Sequence, residues 1–162
     1  MLTQTKTDLQ RSMAGIERLE AQMTFRFSVL SKLLDQQMAG IAATHGLTLG
    51  AYRALATTQA FGILTAADLT RYTAYDKAAV SRHVAELVDR DLINTRQDPA
   101  HGRRKLLTVT KAGAAKLSDI RPQVDARRDA LSSVLSADEE HVLMSAIDKL
   151  STHITRPGSA AS

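Results

Sequence analysis

Residues 65–110 read TAADLTRYTAYDKAAVSRHVAELVDRDLINTRQDPAHGRRKLLTVT, and this stretch decides the fold. It opens on Thr65-Ala-Ala-Asp68, a capping box: hydroxyl and carboxylate each serve an orphan amide at the start of a helix. That helix is short and reaches about Tyr72. Asp76 caps the next, which runs to about Arg90 with Val80, Val84 and Leu87 on its inner face. After Leu92 the hydrophobic period changes to two, so Ile93–Gln97 and Lys105–Thr110 read as paired strands. Asp98-Pro99-Ala100-His101-Gly102 turns between them, Pro presetting φ and Gly supplying a positive one. A lone hairpin is unstable in water, so it must lean on the helix pair before it. The expected unit is helix, turn, helix and wing.

Working outward, Thr48 can cap a helix carrying Leu49, Tyr52, Leu55 and Ala56 that ends near Gly62. Ahead of it, Ile16, Leu19, Met23, Phe27, Leu30, Leu34 and Ile41 recur at three- and four-residue steps. They predict one helix of about eight turns, stopped at His45-Gly46. Its single apolar face calls for a second helix or a second chain. Downstream, Thr110 caps a helix with Leu117, Ile120, Val124 and Leu131 on one side and Pro122 inside, where a kink is expected. Ser136-Ala-Asp-Glu139 is a second capping box, opening a last helix with Leu143, Ile147, Leu150 and Ile154 on one stripe. The fold class is thus mainly α, with a small antiparallel β-hairpin wing: a winged helix-turn-helix carrying long N- and C-terminal helices. The expected division is 47–110 for the winged helix-turn-helix, 14–46 and 111–155 for the long helices, and 1–13 and 156–162 as flexible termini.

The chain has 162 residues, enough for one ordinary domain or a small domain with an extension. Hydrophobic residues make up 44% but aromatics only 4%, with no Trp, so the core must be aliphatic and helices are favoured. The absence of Cys excludes disulfides, thiolate metal sites and cysteine redox sensing. No apolar h-region opens the chain and no run of about eighteen apolar residues occurs. A soluble, cytoplasmic protein with no membrane partner is expected. A formal charge of +4 is only a mild pointer to a polyanion; where the charge sits matters more.

In a helix-turn-helix the second helix enters the major groove. With Val80, Val84 and Leu87 inward, Ala78, Ser81, Arg82 and Ala85 face out. Arg82 can donate two hydrogen bonds to a guanine edge, Ser81 can serve a base or a phosphate, and alanine methyls can meet a thymine methyl. Lys77 and the free amides at the helix start favour phosphate. The bland alternative is a solvated helix face, since exposed Arg and Ser are ordinary. The hairpin tips the balance: Arg96, Arg103, Arg104, Lys105 and Lys111 crowd one segment against a single nearby acid, Asp98. An arginine at a hairpin tip suits the negative potential of a narrow minor groove. A wing that docks a partner protein would expose apolar residues there instead. A nonspecific architectural DNA binder differs only in how it treats random sequence.

Five histidines, His45, His83, His101, His141 and His153, are scattered without ligand spacing, so no metal site is assembled. No nucleophile elbow, Ser/His/Asp spacing or Gly-rich loop is present, which argues against catalysis and a bound cofactor.

Residues 48–113 resemble the MarR family of bacterial transcriptional regulators. The resemblance lies in Leu69–Arg82, in Val84-x-x-Leu87, in Leu92-Ile93, in Asp98-Pro99-x-x-Gly102-Arg103-Arg104 and in Thr110-x-x-Gly113. It implies a homodimer built from the first and last helices, pressing two winged units onto a palindromic operator of double-stranded DNA. Lys77, Ala78, Ser81, Arg82, Arg103, Arg104 and Lys105 would contact DNA, with Arg103 in the minor groove. It also implies a repressor released by a small aromatic or phenolic effector, placed around Phe27, Leu30, Leu34, Tyr52 and Arg53. The sequence departs from the family pattern in four places. His101 stands where an acid usually orients the tip arginine, so Arg103 is either looser or held by Asp98. Asp91 replaces a Gly, Ala79 a frequent Thr, and Val109 a common Leu.

Overall fold

The structure is a computed structural model in which residues 15–102 and 104–155 are described. Arg103, Ala14 and the segments expected to be flexible, 1–13 and 156–162, lie outside the described residues. The elements are α1 (Met23–Thr44), α2 (Leu49–Phe61), β1 (Leu64–Thr65), α3 (Ala66–Thr73), α4 (Lys77–Asp89), β2 (Ile93–Gln97), β3 (Lys105–Val109), α5 (Lys111–Ser132) and α6 (Ala137–Thr155). Contacts group the chain into two units, the first ending at Ser118 and the second beginning at Asp119.

In the first unit, α2, α3 and α4 pack on one another and on a small sheet. Leu55, Leu69, Leu87, Ile93 and Leu107 are fully buried, one each from α2, α3, α4, β2 and β3. Each contributes about 1.5–3 kcal/mol of burial. The core is aliphatic, as the composition requires. Thr58, buried with them, satisfies its hydroxyl by donating to the Ala54 carbonyl at 2.7 Å.

Two expectations are corrected. The sheet is three-stranded, ordered β1-β3-β2 and antiparallel throughout, so the wing is no isolated hairpin. Leu64 pairs with Leu107 and Thr65 with Leu106, covering the edge of β3 that β2 leaves open. A two-residue strand leaves no alternation in the sequence; it forms because Leu64 is buried beside the ladder. The long N-terminal helix is also broken. Residues 15–20 are helical, then Gln22 turns extended (φ −84°, ψ 120°) before α1 starts. All six residues of the first piece are exposed, so no tertiary packing holds it in line with α1. Within α1 only Met38 and Ala42 are buried, while Phe27, Leu34 and Ile41 are half-buried and Leu30 is exposed.

α5 stays helical through Pro122, whose missing N–H leaves the Ser118 carbonyl without its usual helical donor. In the second unit the second capping box forms as read. The Glu139 carboxylate accepts from the Ser136 amide at 2.8 Å, and the Ser136 hydroxyl accepts from the Glu139 amide at 3.3 Å. α6 buries none of its residues. Val142, Met144 and Ile154 are all more than half exposed on it.

Candidate nucleic-acid interface

The site is built on α4, and hydrogen bonds fix both its ends. At the start, Asp76 accepts from the Ala79 amide at 2.7 Å. At the far end, Arg90 donates to the Gly46 carbonyl at 2.6 Å and pairs with Glu86 at 3.5 Å. The Thr48 hydroxyl, which caps α2 by accepting from Ala51, also reaches Glu86 at 3.4 Å. Asp91 follows with φ 55°, taking the left-handed conformation a Gly would adopt more cheaply. Ala74, just before the helix, has φ 57°.

With Ala79, Val80 and Leu87 buried and Val84 half-buried, Lys77, Ala78, Ser81, Arg82 and Ala85 stand exposed on the other face. Among the described residues, no carboxylate lies within ion-pair distance of Lys77, Arg82 or Lys105. The outward face inferred from periodicity is therefore available to a ligand.

The wing is stiffened mainly by its own backbone. Asp98 donates to the Arg104 carbonyl at 2.9 Å, and Arg104 to the His101 carbonyl at 2.7 Å. The Asp98 carboxylate accepts from the Ala100 amide at 2.9 Å, and the Gln97 side-chain amide donates to the Gly102 carbonyl. Asp98 thus shapes the turn. The expected roles of Arg103 concern a residue outside the described ones. Arg96, Arg104 and Lys105 are exposed along the wing.

Thr110 locks the wing to α4. Its amide donates to the Leu92 carbonyl at 3.1 Å and its hydroxyl to the Asp91 carbonyl at 2.7 Å. The same hydroxyl accepts from the Gly113 amide at 2.9 Å, capping α5.

The first capping box also forms. The Asp68 carboxylate accepts from the Thr65 amide at 2.9 Å and hydroxyl at 2.8 Å, and Thr65 accepts from the Asp68 amide. These bonds, helped by the charges of Arg71 and Arg104, hold the Asp68 carboxyl below the usual aspartate range. A depressed carboxyl pKa stabilises the fold above that range, and the contribution fades as pH falls through the folded value. Thr65→Ala should therefore cost about 1 kcal/mol at neutral pH in urea unfolding. It should also flatten the loss of stability in acid; an acid limb as steep as the wild type's would refute the assignment.

The residues expected to take an effector lie on α1 and α2. Phe27, Leu34, Tyr52 and Arg53 are half-buried and Leu30 is exposed. Arg53 already pairs with Asp35 at 2.5 Å. No group of three or more metal-ligating side chains occurs among the described residues. No described helix is long and apolar enough to cross a membrane.

Residues 45–104 match the sequence model of the MarR family, spanning the whole helix pair and most of the wing. This segment is similar to MarR-family domains. Solved structures of MarR-family proteins share the fold. A MarR family transcriptional regulator from Silicibacter pomeroyi is 20% identical, covers 85% of this chain and 92% of its own, and superposes with a TM-score of 0.77. A mutant MarR from E. coli, solved in complex with operator DNA, is 20% identical with a TM-score of 0.67, over 80% of this chain and 99% of its own. A probable transcriptional regulator from Pseudomonas aeruginosa is 28% identical with a TM-score of 0.65, over 82% of this chain and 98% of its own. No curated protein matches the chain in sequence.

Proposed function

We propose that this chain is a transcriptional regulator that binds a palindromic operator in double-stranded DNA as a homodimer. The observation that carries this reading is the exposed face of α4, held at both ends and bearing Lys77, Ala78, Ser81 and Arg82. Arg82 reads a guanine edge, Ser81 and the alanine methyls add base contacts, and Lys77 meets phosphate. Arg104 and Lys105 follow the backbone from the wing, and Arg103 enters the minor groove. The operator-bound E. coli structure, which shares the fold, supports this reading.

Residues 47–110 form the DNA-binding part, and 14–46 with 111–155 the dimerisation part. Exposed apolar side chains support the second assignment separately in each segment: Met23, Val29, Leu30 and Leu33 in α1, Val142, Met144 and Ile154 in α6. Apolar surface on that scale is characteristic of an association face. In our reading the protein is a cytoplasmic repressor, released when a small aromatic or phenolic anion settles among Phe27, Leu30, Leu34, Tyr52 and Arg53. Such an anion would compete with Asp35 for the guanidinium of Arg53.

Binding to upstream DNA across a salt series tests the reading. Log K should fall linearly with log salt, each phosphate contact adding about 0.9 to the slope on B-DNA. Arg82→Ala should cost roughly 1–3 kcal/mol on the cognate site and erode base preference. A flat salt dependence, or unchanged preference in Arg82→Ala, would sink it.

A further inference from the structure

We infer that Asp35, Arg53 and Tyr75 form a strut that sets the position of α4 for DNA binding, as positioning residues that do not themselves touch DNA. The inference rests on the DNA-binding reading above and adds a function for residues outside the exposed face.

Arg53, on α2, donates through Nη2 to the Asp35 carboxylate of α1 at 2.5 Å and through Nη1 to the Tyr75 hydroxyl at 3.1 Å. The planar fork of a guanidinium lets one side chain hold both partners in fixed geometry. Tyr75 sits between Ala74, in the left-handed conformation, and Asp76, the cap of α4. The strut therefore acts one residue from the point where α4 begins. Its ring lies against His83 of α4, centroids 5.5 Å apart and planes tilted by 58°. The His83 ring in turn fills the space over Gly50 of α2, where an added Cβ would lie 2.1 Å from Nε2. α4 is thus held through Tyr75 and His83 from α2, with α1 at the far end.

Burial works against the charge of Arg53, yet its bonds to Asp35 and Tyr75 outweigh that and raise its pKa. The ion pair is still 36% and 41% exposed at its two side chains, and exposed pairs add little to stability. What this arrangement can supply is geometry. A reading helix already in place need not be ordered when DNA binds, so affinity is gained without a new contact.

The test uses a duplex enriched by the full-length wild-type protein from a randomised pool, with random duplex as comparator. Tyr75→Phe, which removes only the hydroxyl, and Arg53→Gln should each weaken binding to the enriched duplex roughly three- to tenfold. The double variant should be no weaker than the worse single, because both act on one element. Arg53→Lys, which reaches one partner only, should fall between. Urea midpoints and binding to random duplex should stay near wild type. Wild-type affinity in both singles overturns the strut while leaving DNA binding intact. A loss of affinity matched by a falling urea midpoint, or additive losses in the double, overturns it too. A wild-type protein that enriches no duplex sinks the DNA-binding reading and the strut with it.

Discussion

Ile147→Asp combined with Ile154→Asp is expected to lower affinity for the operator by about 10²–10⁴-fold, the advantage that two linked half-sites confer over one. The two isoleucines are seven residues apart on α6 and so share a face. Ile154 is 72% exposed and Ile147 36%, on a helix that buries nothing of its own. A carboxylate at each position would have to enter an apolar contact without a partner, which strongly disfavours association. Sedimentation should show a monomer, and circular dichroism should show retained helix. Binding that remains should keep its base preference, since α4 lies elsewhere in the chain. A double variant that sediments as a dimer and binds with full affinity would remove α6 from the proposed dimer face.

Gly113→Ala is expected to destabilise the protein by roughly 2–3 kcal/mol, toward the upper end for an overpacked site. A Cβ at Gly113 would lie 2.2 Å from the Leu92 carbonyl oxygen and 2.9 Å from Val109 Cγ1. The first of these is backbone and cannot rotate away. The same Leu92 carbonyl accepts from the Thr110 amide, so pushing it aside also strains the link from wing to α4. Better helix propensity returns at most about 1 kcal/mol, which leaves the clash dominant. Gly113 has no left-handed φ, so the requirement is for space alone. Urea unfolding measures the loss; a midpoint equal to or above the wild type's would mean the helix start moves aside freely.

Local chemistry explains what could be read in advance. Thr48, Thr65, Asp76, Thr110 and Ser136 all cap by bonds to residues three positions on, so the signal and the structure lie within one helical turn. Strand β2 ran where the two-residue period placed it, and β3 ended one residue short of Thr110. The exposed set on α4 followed from periodicity alone. What escaped depends on distant partners. Leu64 gains a strand only because Leu107 lies alongside. Asp35 and Tyr75 are 18 and 22 residues from Arg53, and Gly46 is 44 from Arg90, spacings that no local pattern encodes. Arg53 could be seen as a polar residue on a helical stripe, but its two partners could not. The break at Gln22 had no Gly or Pro to announce it.

Everything that fixes α4 lies on its buried side or beyond its ends: the cap at Asp76, the grip of Arg90 on Gly46, and the left-handed residues Ala74 and Asp91. None of these supports involves Ala78, Ser81, Arg82 or Ala85. The frame and the face are therefore separable by mutation. If α4 reads bases as proposed, a descendant of this sequence can change which bases it prefers by exchanging those four side chains, without having to discover a new fold each time. On that reading the helix is a socket for a replaceable reading head, a property that would favour divergence of target genes after duplication.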